Sequence, residues 1–178
     1  ESASVAGKAR VRRVWVLGAS IGGPEAMREF LAEFPRSHPA LFVLAQHLGD
    51  EFVEMMARQL TKATPLIVRM PVHGDRVGHG EILIVPNAQR LLVDAEGVVV
   101  LERDTTEQPY SPSIDRVIRD MADRFGAAAG AIVFSGMSTD AIEGCRHLVG
   151  KGGRVYAQSP ESCVVSSMVD GVIEEGLA

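Results

Sequence analysis

The chain has 178 residues, enough for one ordinary domain that buries about 70% of its unfolded surface without a disulfide or metal staple. Hydrophobic residues make up 46% and charged residues 23%, a globular balance that excludes intrinsic disorder. With 18 Lys and Arg against 23 Asp and Glu, the formal net charge of −5 speaks against a nucleic-acid binder, which needs a basic face. Two cysteines, Cys145 and Cys163, form no CxxC and no disulfide framework, so the chain reads as reduced and cytoplasmic. No apolar run approaches the ~18 residues of a membrane span. Residues 1–10 read as a flexible linker and residues 11–178 as the domain.

Arg13-Val-Trp-Val-Leu-Gly18 is a short apolar, β-branched run that predicts a buried strand. Pro24 then opens a helix with Ala26, Met27, Phe30 and Leu31 at helical spacing. Pro35 and Pro39 end it. Leu41-Phe-Val-Leu-Ala45 predicts a second strand, followed by a helix through Phe52, Met55, Met56 and Leu60. Leu66-Ile-Val68 predicts a third strand, and Glu81-Ile-Leu-Ile-Val85 a fourth after a glycine-rich stretch. Arg90–Val93 and Val98–Leu101, joined by Asp94-Ala-Glu-Gly97, predict a β-hairpin. Ile114, Val117, Ile118 and Met121 mark one face of a helix over 113–124. Ala131-Ile-Val-Phe134 predicts another buried strand, residues 140–148 a helix, and Arg154-Val-Tyr-Ala157 a last strand. The tail after Ser166 is ambiguous.

Strands that are apolar on both faces and alternate with helices predict an α/β fold, with a mostly parallel sheet covered by helices on both sides. The hairpin is an antiparallel addition to it. In such open sheets, sites form beyond the carboxyl ends of the strands.

Gly18-Ala-Ser20-Ile-Gly22 matches G-x-S-x-G between a predicted strand and a predicted helix, the context of a nucleophile elbow. The small residues allow a sharp turn that exposes the Ser20 hydroxyl and aims backbone amides, including that of Ile21, at a developing oxyanion. A glycine-rich turn that only starts a helix or binds a phosphate is the alternative. His47 follows the second strand and suits a general base, with a capping or surface histidine as the alternative. His38, His73, His79 and His147 are less well placed, and no full metal-ligand set is identifiable. Asp140 follows a third strand. Its carboxylate suits a group that accepts from Nδ1–H of a histidine and stabilises the imidazolium, or an N-cap of the next helix. Asp115 is a rival carboxylate in the first turn of a helix.

The chain order Ser20, His47, Asp140 differs from the Ser, Asp/Glu, His order of α/β-hydrolases. Order and strings together resemble the catalytic domain of the chemotaxis protein-glutamate methylesterases (CheB-type), which carries G-A-S-T-G-G-P, Q-H and T-G-M-G-x-D-G-A. Here these read Gly18-Ala-Ser-Ile-Gly-Gly-Pro24, Gln46-His47 and Ser135-Gly-Met-Ser-Thr-Asp-Ala141. The likeness covers about residues 13–168.

The resemblance implies a doubly wound α/β domain with Ser20 as nucleophile, His47 as base and Asp140 as orienting acid. It adds the Met137 amide to the oxyanion hole and calls for no cofactor and no metal. It implies hydrolysis of glutamate γ-methyl esters on chemoreceptor cytoplasmic helices, with glutamine deamidation as a family activity and a phosphorylatable receiver domain upstream. The chain departs from the pattern at Ile21 for Thr and Ser138 for Gly. Tyr110-Ser111-Pro-Ser stands for H-R-P-S, Met168-Val-Asp-Gly-Val172 for M-P-R-E-A and Asp140-Ala-Ile for D-G-A. A non-catalytic docking module of a chemosensory pathway is the alternative reading.

Overall fold

Six apolar segments form a parallel sheet in the computed structural model, which describes residues 10–178. These strands are β1 (Val14–Ala19), β2 (Leu41–Gln46), β3 (Ile67–Arg69), β4 (Glu81–Ile84), β7 (Ala129–Val133) and β8 (Arg154–Ala157). Their order across the sheet is β3-β4-β2-β1-β7-β8. The expected linker over residues 1–10 lies outside the described residues except for Arg10.

Side-chain alternation assigns each strand residue to one of two cores. Val14 and Val16 of β1, Leu41 and Val43 of β2 and Ala131 and Val133 of β7 face one layer. That layer holds α3 (Ile114–Phe125), α4 (Ile142–Gly150) and α5 (Ser167–Glu174). Leu17, Ala19, Phe42, Leu44 and Phe134 face the other, which holds α1 (Gly23–Leu31) and α2 (Asp50–Ala63). Met27, Leu31, Met56 and Leu60 fill that second layer from the helices. Each fully buried Leu or Met contributes about 1.5–3 kcal/mol over its exposed state, so the two-sided burial of β1 and β2 makes them the sheet's centre of stability.

The hairpin, β5 (Gln89–Val93) and β6 (Val99–Arg103), is antiparallel and forms its own two-stranded sheet instead of joining the large one. Its Leu91, Val93 and Val99 bury against the α3 layer. Arg90 donates to both carboxylate oxygens of Asp120 on α3, at 2.9 and 2.6 Å, which fastens the hairpin to that helix. The ambiguous tail is resolved as α5, whose Met168, Val169 and Val172 are buried.

From β1 the chain crosses to β2 on one side and returns later to β7 on the other. The carboxyl ends of β1 and β7 therefore flank the topological switch point of the sheet, where crevices open in folds of this type. Ser20 and the segment Ser135-Gly136-Met137 stand there.

Candidate active site

Strand register brings the first two candidate residues together. Ala19 pairs with Gln46, and the His47 amide donates to the Ala19 carbonyl at 2.9 Å. The Ser20 amide donates to the Ser135 carbonyl at 3.0 Å, so Ser20 sits between the ends of β2 and β7. Gly22 has φ 81°, a left-handed conformation that favours glycine and lets the chain turn into α1 immediately after Ser20. Gly136 crosses directly above: a Cβ there would lie 2.7 Å from Ser20 Cβ. Only glycine allows the β7 loop to come this close to Ser20.

His47 Nε2–H donates to Asp140 Oδ2 at 2.7 Å, with the two side chains only 13% and 2% exposed. The nitrogen differs from the expected Nδ1. With Nε2 engaged by Asp140, Nδ1 is the ring nitrogen that remains for a proton-transfer partner. Asp140 also accepts from the amides of Ile114 at 2.7 Å and Asp115 at 2.8 Å. These are the first amides of α3, which lack intrahelical partners, and their positive end of the helix dipole favours an anion.

The expected capping role is thus corrected in its target: Asp140 caps α3, not the helix that follows it. Asp115 does the reverse. Its Oδ1 accepts from Ala141 at 3.0 Å and Gly144 at 2.7 Å, at the start of α4. Burial pushes the Asp115 carboxyl above its ordinary range, and the neighbouring Asp140 charge adds to this, while the Gly144 and Ala141 amides act against it. Between the two carboxylates, Ala141 is held at φ 130°, a non-glycine strain of about 1–3 kcal/mol at the position where the resembled pattern has Gly.

Planar trans peptides fix the direction of the two amides of interest. The Ser20 carbonyl accepts from Gln46 Nε2 and from the Gly23 amide, both at 2.9 Å, so the Ile21 N–H of the same peptide points the opposite way. The Gly136 carbonyl accepts from the Met168 amide and the Ser167 hydroxyl, both at 3.1 Å, and this turns the Met137 N–H away from α5. The Ser135 hydroxyl donates to the Ile21 carbonyl at 2.7 Å and ties the two loops to each other.

Several residues around these three escaped the sequence reading. Gln46 was visible only as part of a string, yet its amide bridges the carbonyls of Ser20 and His47. Tyr110, visible only as a departure from a pattern, stacks on the His47 ring with centroids 5.0 Å apart and planes 9° apart. A groove lined by Tyr110, Met137 and Ser138 and by Asp170 and Glu174 of α5 borders the site at Tyr110, whose ring stacks on His47. A second hollow lies elsewhere, over Trp15, Phe30, Phe134 and Tyr156; Ser20, His47 and Asp140 line neither of the two.

The remaining histidines serve other contacts. His79 Nε2 accepts from the Arg12 amide at 3.0 Å, and His73 Nδ1 from the Leu101 amide at 3.1 Å. His147 pairs with Asp123, and His38 lies against the rings of Phe34 and Phe42. Burial pushes the Cys145 thiol up to about 12, which keeps it protonated and unreactive at neutral pH. Among the described residues, no helix is long and apolar enough to cross a membrane.

The fold and the strings around this site recur in known proteins. A family model described as CheB methylesterase matches residues 15–178. A protein-glutamate methylesterase/protein-glutamine glutaminase of Lawsonia intracellularis is 33% identical over 172 residues, covering 94% of this chain and 48% of that protein. One from Myxococcus xanthus is 35% identical over 165 residues, covering 93% and 47%. The chain spans about half the length of the curated relatives it matches. The crystal structure of the Thermotoga maritima CheB methylesterase catalytic domain superposes with a TM-score of 0.87 at 30% identity, over 93% of this chain and 89% of that one. With its switch-point serine turn, its buried histidine–carboxylate pair and a family match over nearly its whole length, this chain belongs to the CheB methylesterase family.

Proposed function

We propose that this domain hydrolyses glutamate γ-methyl esters, with Ser20 as nucleophile, His47 as base and Asp140 as orienting acid. The observation that carries the reading is the buried His47–Asp140 hydrogen bond beside the Ser20 turn, in a chain of this family. Ser20 Oγ attacks the ester carbonyl carbon and gives its proton to Nδ1 of His47. The tetrahedral oxyanion is held by the amides of Ile21 and Met137. As the C–O bond breaks, His47 returns the proton to the departing oxygen and methanol leaves. Water, deprotonated by His47, then attacks the acyl-serine; the acyl–Oγ bond breaks, His47 gives that proton to Ser20 Oγ, and the glutamate side chain is released. Asp140 stays ionised and stabilises the imidazolium at each transfer.

The names of the relatives also carry a glutamine glutaminase activity. The same steps with an amide release ammonia, and this activity belongs to the proposal. So do the cytoplasmic helices of a methylated chemoreceptor as partner, a cytoplasmic location and an upstream phosphorylatable receiver domain, all on the family resemblance.

The test is methanol release from methyl-labelled receptor membranes by wild type and Ser20→Ala. Wild type should release methanol. Ser20→Ala should fold and lose nearly all of it, by about 10⁶ in kcat for loss of a nucleophile. Wild-type-like release by Ser20→Ala would remove Ser20 from the mechanism. Release by neither protein would favour the docking-module reading.

A further inference from the structure

A histidine hydrogen-bonded at one nitrogen is located but not oriented. Its χ2 torsion joins an sp³ to an sp² carbon and lies in a broad well, so the ring can pivot about the Nε2···Oδ2 contact. On the proposed mechanism, a pivot of that kind would turn Nδ1 out of line with Ser20 Oγ while leaving the bond to Asp140 intact. Something else must set the plane of His47.

Tyr110 does so by geometry. Its ring stacks on the imidazole with centroids 5.0 Å apart and only 9° between the planes. The neighbouring Ser111 ties this segment back to the His47 loop through Asn87. Ser111 Oγ donates to the Asn87 carbonyl at 3.0 Å, and Asn87 Nδ2 donates to the carbonyl of Leu48, the residue after His47, at 2.9 Å. A few residues further on, the Ile114 and Asp115 amides hold Asp140. The segment 110–115 thus grips the pair twice, at the face of the base and at the carboxylate.

We infer that Tyr110 is a positioning residue for the hydrolysis: it fixes the imidazole plane so that Nδ1 stays aimed at Ser20, and its π-face favours the imidazolium that forms during proton transfer. The ring quadrupole attracts a cation over its face. Transfer of the serine proton places a charge on the His47 ring as the transition state forms, so this attraction adds to transition-state stabilisation. The inference rests on the proposed roles of Ser20 and His47. A residue that only lined the groove would act on substrate affinity.

The experiment is steady-state hydrolysis of a peptide carrying a glutamate γ-methyl ester by wild type, Tyr110→Phe, Tyr110→Leu and Tyr110→Ala. NMR of the His47 ring is recorded on each. Tyr110→Ala and Tyr110→Leu should lower kcat about 10- to 100-fold, the scale of a misplaced catalytic group, with KM little changed. Tyr110→Phe keeps the stack and should stay within about 3-fold of wild type, since an equal loss is only expected where the hydroxyl acts. In the spectra, the upfield ring-current shift of the His47 ring protons should persist in Tyr110→Phe and vanish in Tyr110→Leu.

A raised KM with wild-type kcat in the alanine and leucine variants would make Tyr110 a substrate contact and overturn the inference. So would a phenylalanine variant as slow as alanine. Should wild type hydrolyse no methyl ester, the methylesterase reading fails on its own. The ring spectra then decide the clamp: an unchanged His47 signal in Tyr110→Leu overturns it, and a lost shift with a newly mobile ring upholds it. Leucine serves where alanine unfolds the loop, because it keeps bulk without a π-face.

Discussion

Two histidine–aspartate pairs in this molecule have nearly the same contact distance and very different surroundings. His47 meets Asp140 at 2.7 Å and His147 meets Asp123 at 2.6 Å. The first pair is closed in, and its carboxylate takes two further backbone amides. In the second, Asp123 is 57% exposed and shares its charge with water and Lys151. A short contact is therefore no mark of a site. What separates the two is the number of fixed dipoles aimed at the carboxylate and the exclusion of water, which strengthens each of them.

The sharpest way to break this contrast is to remove each histidine. His47→Ala should lower ester turnover by about 10⁶, the cost of losing a general base in an intact site. His147→Ala should leave kcat within about 2-fold, as for a surface substitution. Comparable losses in both, measured by methanol release per folded molecule, would end the distinction.

Removing the carboxylates tests the same contrast with two readouts. Asp140→Ala should cost about 10⁴ in kcat, less than loss of the base. It should also destabilise the fold by about 2–3 kcal/mol, because buried amides at the start of α3 lose their acceptor. Asp123→Ala should change stability by no more than about 0.5 kcal/mol at neutral pH. His147 holds the Asp123 carboxyl below its usual range. That pair's small contribution is therefore present above the unfolded carboxylate pKa and fades as pH falls through the folded one. Denaturant melts of both variants at pH 7 check the ranking, and an Asp140→Ala protein as stable as wild type would contradict the anchoring role of its amide contacts.

The smallest effect concerns Asp115, the neighbour that faces the buried pair. Its folded pKa is raised, chiefly by burial. Its contribution to stability is thus fully present below the unfolded pKa and lost as pH rises through the folded value. Asp115→Asn keeps an oxygen for the Ala141 and Gly144 amides and removes the charge. The variant should match or exceed wild-type stability at neutral pH by up to about 1 kcal/mol, with a flatter dependence from acid to neutral pH. An Asp115→Asn protein less stable than wild type in melts at neutral pH would show that the charge is instead favourable at the start of α4.

Much of this frame is legible in the sequence because it is local. Runs such as Leu41–Ala45 are apolar on every residue, as strands covered on both faces must be. Residues directly past such runs fall on one edge once the strands are parallel, which is how Ser20, His47 and Asp140 stand out. The illegible part is non-local. Asp140 and the α3 amides are 25 and 26 residues apart in the chain, and no spacing rule links them. The start of β7 at Ala129-Gly130 carries no β-branched residue to announce it, and only pairing with Val14 and Trp15 makes it a strand. The choice of Nε2 over Nδ1 depends on which side Asp140 approaches from. The hairpin's separation from the main sheet depends on packing against α3 that periodicity does not encode.

The reciprocal capping of α3 and α4 makes chemistry and local unfolding one event. Asp140 can hold His47 only while the first turn of α3 is docked, since the amides that fix its carboxylate belong to that turn. Fraying there would free the carboxylate to rotate and break the His47–Asp140 hydrogen bond without any change at Ser20. On the proposed mechanism, opening of this one helical turn limits how long the site stays competent, and hydrogen exchange at the Ile114 and Asp115 amides reads that opening directly.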